Sequence, residues 1–281
     1  MMSDPQNYHE QFVENGCVLL EGGISDEILE HLREAAETLF KGVAEGKWTT
    51  RHQTVLKPDV FHPAYLEFLN IPEMAAVGEA VLETKDLVTS GLACLLGSPK
   101  NEICKWHRDF PDTHPEMEEL LRHPSVVIQI NAAIFDDQSL WIIPSSHSRT
   151  TLPNEDAYEK RFSDLKFIGP TETAHALDEN IMSGMPGSSN VQLQAGDILM
   201  YNPFLWHAAE YRPDWKRATL HGGLKKAENI DKYVACRWGL EHNPWFKEPE
   251  YMGDLGEIFA GQLARHVACS NKYPKGPLKA Y

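Results

Sequence analysis

The sequence predicts an α+β protein in which short β-strands form a sandwich or barrel that helices flank. Two observations predict this class. Apolar residues recur at helical spacing near both ends of the chain, whereas the middle contains short alternating runs separated by glycine, proline and aspartate turns. The chain has 281 residues, of which 42% are hydrophobic, so it can bury a large core without disulfides or a structural metal. We expect a single domain over residues 1–281.

Helical periodicity predicts four helices. The clearest covers 26–40, where Ser25 can accept a hydrogen bond from the first turn and apolar residues recur every three or four positions. The same kind of pattern predicts the other three helices, at 72–84, 116–122 and about 255–267.

Strand periodicity predicts the β-structure of the middle of the chain. Gln129 and Asn131 share one face of the predicted strand 125–135, opposite its isoleucines. Arg217 and Thr219 likewise share one face of strand 217–224. The remaining predicted strands are 17–20, 139–143 and two short strands within 191–202 around an Ala-Gly-Asp turn.

A long polar connection follows strand 139–143. About 45 residues separate this strand from the next predicted one, and connections of that length are usually disordered or form a functional lid. We therefore interpret residues 150–190 as a candidate lid.

Composition limits the partners and the compartment of the protein. The net charge of −15 disfavours nucleic acid and anionic membranes as partners, and no apolar run approaches the roughly 18 residues that span a bilayer. The N-terminus lacks the pattern of a secretory signal. The five cysteines are widely spaced without a Cys-x-x-Cys pair, which favours a reducing compartment. We expect a cytoplasmic protein with a small-molecule substrate; no oligomeric state follows from the sequence.

Two pairs of histidine and acid stand out among the 13 histidines. His114-Pro-Glu116 lies in a loop and is interpreted as turn chemistry. His107-Arg-Asp109 lies in a short β-like stretch (ICKWHRDF, 103–110), and residues two apart on a strand face the same way. His107 and Asp109 would therefore direct an imidazole and a carboxylate into one cavity.

A third ligand and a co-substrate residue lie further along the chain. His207 follows an apolar strand and a turn, and two histidines with one carboxylate make the facial triad of non-haem Fe(II) oxygenases. Arg217 lies ten residues later. Its planar fork of donors suits the distal carboxylate of a 2-oxo acid.

At these residues the chain resembles the phytanoyl-CoA dioxygenase-like family of Fe(II)- and 2-oxoglutarate-dependent dioxygenases. WHRD (106–109) matches the family's His-x-Asp motif, and LWIIPSSHSR (140–149) resembles its core strand and following turn. LQAGDILMYNPFLWHAA (193–209) and RATL (217–220) match the segments of the distal histidine and the co-substrate arginine. The resemblance covers most of the chain.

The resemblance implies a fold, an activity and a set of ligands. The fold is a double-stranded β-helix, the cupin-like jelly-roll barrel, flanked by helices. His107, Asp109 and His207 would bind Fe(II), and Arg217 would bind 2-oxoglutarate. The implied activity is hydroxylation, or another oxidation, of an unactivated C–H bond in a secondary metabolite or an acyl compound. It would consume O₂ and release succinate and CO₂.

The chain departs from the family pattern at two places. Asp136–Ser139 replaces the Asn-Gly that often precedes the core strand, and Ala209 stands where a serine or threonine often helps to hold 2-oxoglutarate. Gln129, Asn131 and Thr219 are the candidates for the missing hydrogen bond to the co-substrate.

Two other readings of the same residues stay open. One is a cupin-like metalloenzyme that binds metal through the three ligands without using 2-oxoglutarate. The other is a catalytically silent homologue that binds a small molecule. Asp109 favours hydroxylation over halogenation, because a halogenase must leave that position free for halide. His147 is interpreted as a structural turn residue.

Overall fold

Two antiparallel sheets pack face to face and form the centre of the protein. The computed structural model describes residues 5–48, 53–110, 112–162, 173–175 and 181–274. Within these residues the strands are β1 (Cys17–Leu20), β2 (Gln53–Thr54), β3 (Leu87–Leu96), β4 (Glu102–His107), β5 (Val127–Ala133), β6 (Leu140–Ile142), β7 (Thr173–His175), β8 (Ser189–Asn190), β9 (Ile198–Tyr201), β10 (His207–Tyr211) and β11 (Ala218–Lys226).

Strand order confirms the predicted jelly-roll class. The larger sheet has the order β1-β9-β5-β11-β3-β2, and the smaller has the order β7-β4-β10-β6-β8. All of their strand pairs are antiparallel. Consecutive strands therefore often lie in different sheets, and apolar side chains such as Leu199 of β9 and Ile142 of β6 pack together in the space between the sheets.

Helices flank the two sheets. They are α1 (Pro5–Asn15), α2 (Asp26–Ala44), α3 (Ala64–Leu69), α4 (Pro72–Leu82), α5 (Met117–Arg122), α6 (Pro153–Glu159), α7 (Ala227–Lys232) and α8 (Glu257–Lys272). Of these, α6 packs against residues of the smaller sheet. The predicted helix 26–40 is confirmed and continues to Ala44. Its cap is also confirmed, because the Oγ of Ser25 accepts a hydrogen bond of 3.4 Å from the backbone N of Ile28.

The residues of strand 125–135 alternate as predicted between the hydrophobic core and the space between the two sheets. Ile128 and Ile130 of β5 are buried in the largest hydrophobic cluster, together with helix residues such as Leu32. Gln129 and Asn131 point to the other side of the sheet, into the space between the sheets, where they make side-chain hydrogen bonds. The polar face of β5 thus lines the interior of the barrel.

One predicted strand is absent from the structure, and one long strand was not predicted. Within 191–202 only β9 forms a strand, because Leu193 makes an isolated bridge with Asp137 instead of joining a ladder. The other difference is β3, the longest strand, which the sequence analysis missed. Its central Gly91 has φ +93° and interrupts a run of apolar residues that shows no clear period.

The candidate lid lies only partly within the described residues. Residues 163–172 and 176–180 are outside them. In the described part, β7 pairs with β4, and Met182 and Met185 pack with Trp106 and Trp206 on the outer face of the smaller sheet. The interpretation of 150–190 as a lid stays a prediction.

The five cysteines carry free thiols. No helix in the described ranges is long and apolar enough to cross a membrane.

Gly16 joins α1 to β1 at a close approach of two segments. Its φ is +80°, and a Cβ at this position would lie 2.5 Å from Nδ1 of His147. The His147 ring is buried, and its Nε2 lies 3.1 Å from the carbonyl oxygen of Val13. Burial lowers the pKa of His147 to about 4. His147 therefore links the turn after β6 to α1, which agrees with the structural role expected for it.

We predict that Gly16→Ala destabilises the fold by about 3 kcal/mol or more, because backbone strain and a steric clash add together. Urea unfolding measures this change. The matched control is Gly46→Ala, at φ +72° with no atom within 4 Å of the added Cβ, for which strain alone costs about 1 kcal/mol. Equal losses in the two variants would contradict the packing of Gly16 against His147.

Candidate metal and co-substrate site

Two neighbouring strands bring the candidate metal ligands together. His107 ends β4 and His207 begins β10, and the two residues are direct partners in the antiparallel register. Asp109 follows β4, where its backbone N donates a hydrogen bond of 3.1 Å to the carbonyl of Pro203. Its Oδ1 lies 3.6 Å from the Nε2 atoms of both histidines. One ligand atom from each residue lies within 4.8 Å of the others.

Backbone carbonyls orient both imidazoles in the same way. The Nδ1 of His107 lies 2.7 Å from the carbonyl oxygen of Lys105, and the Nδ1 of His207 lies 2.8 Å from that of Leu205. Each Nδ1 therefore donates its proton to the backbone, which leaves the lone pair of Nε2 for a metal. Burial, helped by the nearby His107, lowers the pKa of His207 to about 4, so this ring is neutral at pH 7.

Gln129 holds the carboxylate of Asp109. Its Nε2 donates a hydrogen bond to Oδ2, which leaves Oδ1 directed at the two histidines. The amide is thus engaged with a metal ligand, whereas the sequence analysis named it as a co-substrate residue.

The donor set fits Fe(II). Two imidazole nitrogens and one carboxylate oxygen lie within 4.8 Å of one another, and such a set is the facial arrangement that leaves further positions for co-substrate and O₂. The side chains of His107 and Asp109 remain 30% and 28% exposed, so the centre can be reached from outside the barrel.

A buried ion pair holds Arg217 at some distance from these ligands. The Nε of Arg217 donates a hydrogen bond of 2.8 Å to Oδ2 of Asp137, and the hydroxyl of Thr219 donates to the same oxygen. The Oδ1 of Asp137 accepts a bond of 2.9 Å from the backbone N of Ser139. Burial alone would raise the pKa of Asp137, but the Arg217 guanidinium and these hydrogen bonds outweigh it and hold the pKa below its usual value.

Two tyrosines lie beside these groups, one next to His207 and one next to Arg217. The Tyr201 ring lies 5.7 Å from the ring of His207, and the Tyr211 ring lies 5.2 Å from the guanidinium carbon of Arg217. Burial and then the negative charge of Asp109 raise the pKa of Tyr201, while Arg217 acts in the opposite direction. The charges of Asp109 and Arg217 therefore both act on the Tyr201 hydroxyl.

The three candidates for the missing co-substrate hydrogen bond are all engaged with protein side chains. Gln129 bonds to Asp109, and Thr219 bonds to Asp137. The Oδ1 of Asn131 lies 2.8 Å from Nδ1 of its cross-strand partner His221. A direct contact of any of the three with a co-substrate stays a prediction, as does the role of Arg217.

The structure also agrees with the reading of His114 as a turn residue. Its Nδ1 accepts a hydrogen bond of 3.2 Å from the backbone N of Glu116. The sequence analysis missed Tyr201, Tyr211 and Asp137. No signal in the sequence identifies Tyr201, because every residue of β9 is buried and its place opposite Gln129 follows only from the sheet register.

We predict that Gln129→Leu weakens Fe(II) binding roughly 10- to 100-fold, the usual cost of removing a hydrogen-bond partner of a metal ligand. The physical reason is that Asp109 loses the donor that orients it. Anaerobic competition with a chromophoric chelator measures the affinity. The control is Gln138→Leu, since Gln138 is exposed. Unchanged affinity in Gln129→Leu would contradict the orienting role.

We predict that Asp137→Asn lowers the free energy of unfolding by about 3 kcal/mol at pH 7, because Arg217 stays buried without its counter-charge. The folded pKa of Asp137 lies below the unfolded value of about 3.9, so its contribution is complete above about pH 5 and disappears as the pH falls through the folded pKa.

Urea unfolding of the wild type and Asp137→Asn between pH 3 and pH 7 measures this difference. The control is Asp59→Asn, because Asp59 forms an exposed ion pair with Lys57 that contributes little. A difference between wild type and Asp137→Asn that persisted unchanged at pH 3 would rule out the ion pair as its source.

One family model matches most of this chain. A family model described as Phytanoyl-CoA dioxygenase (PhyH) matches residues 12–212. This range includes the three candidate metal ligands. A search of curated proteins found no match.

Several solved structures share the fold. AviO1 from Streptomyces viridochromogenes Tue57 is 16% identical with a TM-score of 0.56, over 80% of this chain and 96% of AviO1. HygX from Streptomyces hygroscopicus, solved with nickel and 2-oxoglutarate bound, is 15% identical with a TM-score of 0.55, over 80% and 87% of the two chains. The epimerase SnoN, in complex with Fe3+, alpha ketoglutarate and nogalamycin RO, is 18% identical with a TM-score of 0.51, over 79% and 84%.

Proposed function

Because the chain belongs to the phytanoyl-CoA dioxygenase family, whose enzymes depend on Fe(II), 2-oxoglutarate and O₂, we propose that it oxidises a C–H bond of a small molecule. We propose hydroxylation as the outcome. His107, Asp109 and His207 are the proposed iron ligands, and Arg217 is the proposed partner of the distal carboxylate of 2-oxoglutarate.

One observation carries this proposal. Two neutral imidazole nitrogens and one oriented carboxylate oxygen converge at one end of the barrel interior. The buried guanidinium of Arg217 lies 5.2 Å from the ring of Tyr211, on the strand that His207 begins. A 2-oxo acid with a second carboxylate needs both groups: a metal for its 2-oxo and carboxylate oxygens, and a cation for its far end.

The side chains have distinct tasks in this proposal. Fe(II) with 2-oxoglutarate supplies O₂ activation and removal of a substrate hydrogen, with release of succinate and CO₂. The carbonyl bonds of the two histidines fix their rings, and the lowered pKa of His207 keeps that ring neutral at pH 7. Gln129 keeps Asp109 bound through one oxygen, and the apolar walls around Leu199 and Ile142 keep water away from the reacting groups.

A protein of similar fold catalyses a different reaction. The solved structure of SnoN is described as an epimerase, and epimerisation also begins with loss of a hydrogen from carbon. Hydroxylation and epimerisation therefore differ after hydrogen removal, and the products of a substrate screen distinguish them by mass, since only hydroxylation adds an oxygen atom.

Anaerobic titration tests the proposal. Fe(II)-loaded protein titrated with 2-oxoglutarate is expected to develop a visible metal-to-ligand charge-transfer band. His107→Ala removes one ligand and is expected to abolish the band, whereas His123→Ala, at an exposed position, leaves it unchanged. Stoichiometric iron without any band would instead favour a metalloenzyme that does not use 2-oxoglutarate.

Arg217→Lys gives the second arm of this test. The lysine keeps a positive charge beside Asp137 but loses the planar fork, so we expect weaker binding of 2-oxoglutarate with the band retained at saturation. The ligand concentration at half-maximal absorbance measures the change. Identical titrations for Arg217→Lys and the wild type would exclude Arg217 as the partner of the co-substrate.

A further inference from the structure

We propose that Arg108, together with indole N–H groups on the same face of the smaller sheet, binds a chloride ion behind the candidate metal ligands. This anion site lies outside the barrel interior and separate from the metal centre. The inference therefore goes beyond the proposed function and does not depend on it.

The first argument is a buried charge without a partner. Arg108 is only 7% exposed, and its Nε, Nη1 and Nη2 are buried without a hydrogen-bond partner in the described part of the chain. A guanidinium stays charged in proteins, and a buried charge is costly unless it is paired. Water could accept hydrogen bonds from these donors but would not neutralise the charge, whereas an anion does both.

The charged groups near Arg108 do not act as its partner. They are Asp112, Glu155 and Arg149. Glu155 accepts hydrogen bonds of 2.9 and 2.5 Å from the guanidinium of Arg149, so these two charges compensate each other. Asp112 is exposed, and its Oδ2 accepts a hydrogen bond of 2.8 Å from the backbone N of Thr151. Neither carboxylate accepts a hydrogen bond from Arg108.

The second argument is the position of Arg108 in the sheet. His107 and His207 are direct cross-strand partners that face the candidate metal site. Successive side chains of a strand point to opposite faces, so Arg108 and Trp206 lie on the outer face. Their contact agrees with this placement, because the guanidinium carbon lies 5.6 Å from the centre of the Trp206 ring. The sheet therefore separates the proposed anion from the metal ligands.

The third argument is a set of further donors on this outer face. Trp106 and Trp206 belong to one hydrophobic cluster, and Trp141 packs against it. The indole Nε1 of each is buried and has no partner among the residues that the structure describes. An indole N–H can only donate a hydrogen bond. A halide ion, which can only accept, is complementary to such a group of donors.

The shielding of the donors favours a small anion. Because the guanidinium nitrogens of Arg108 are closed off from solvent, a carboxylate or phosphate on a larger molecule would have to displace the packed side chains of this cluster. Chloride is monatomic and accepts hydrogen bonds from any direction, so it requires the least rearrangement.

The chloride dependence of thermal unfolding tests the proposal. Wild type and Arg108→Met are compared between about 1 mM and about 100 mM chloride at pH 7, with gluconate keeping the ionic strength constant. A ligand that binds only the folded state raises the unfolding midpoint, and we expect a rise of about 3 °C for the wild type. Arg108→Met has no charge to neutralise and should show no rise, whereas an effect of chloride at the metal ligands would persist in this variant.

Two further variants serve as controls. Arg122→Met removes an exposed arginine of α5 and should retain the chloride dependence of the wild type. Arg108→Lys keeps the positive charge but loses the planar fork of donors, so we expect a smaller rise than in the wild type. This variant keeps the test decisive if Arg108→Met does not fold.

Bromide locates the site directly. Wild-type crystals soaked in bromide are expected to show an anomalous scattering peak beside the Arg108 guanidinium, and absence of a peak there would contradict the proposal. Equal chloride dependence in wild type and Arg108→Met would overturn it, because chloride would then act elsewhere. No dependence in the wild type would overturn it as well, since water alone would then satisfy the donors. None of these results bears on the charge-transfer band that tests the proposed function.

Discussion

The backbone pairing of β4 with β10 is the constraint on which the rest of the site depends. It makes His107 and His207 direct partners across two antiparallel strands, and it places Asp109 within 3.6 Å of both imidazoles. Side chains alternate along a strand, so a shift of the pairing by a single residue would turn one histidine to the outer face of the sheet. The register of β4 with β10 therefore determines whether the candidate metal ligands meet. The hydrogen bonds from the two Nδ1 atoms to backbone carbonyls of the same segments also fix the orientation of the rings.

The interior of the barrel is divided between apolar packing and a polar path. Residues such as Leu199 and Ile142 join the sheets through apolar contact, whereas the path from the metal ligands to Arg217 carries hydroxyls and charges. Charged groups at such depth are stable only in pairs, which explains why Asp137 accompanies Arg217. The pair leaves part of the guanidinium unbonded, so the protein retains a cation at this depth that can still take an anion.

Period and spacing were enough to predict the residues that the structure brings together as candidate ligands, but not their surroundings. His107 and Asp109 could be identified because residues two apart on a strand share a face, and β5 was predicted because its polar and apolar residues alternate. Tyr201 could not be identified from the sequence, since every residue of β9 is buried and an aromatic residue in such a strand is typical of core packing. Asp137 lies in a turn, where an acidic residue is ordinary, and only the tertiary structure brings it to Arg217. The strand β3 lacked a period because Gly91 interrupts it and both of its faces are largely buried.

Three thiols of the chain, those of Cys17, Cys94 and Cys236, have a low reactivity at neutral pH. This matters for a protein of a family that uses iron and O₂. Burial raises the pKa of Cys17 to about 11 and the pKa values of Cys94 and Cys236 to about 12. At neutral pH fewer than about one in a thousand of these groups is a thiolate, the form that reacts with peroxides and disulfides. Reactive oxygen species that escape from a non-productive cycle would therefore meet few thiolates at these three positions.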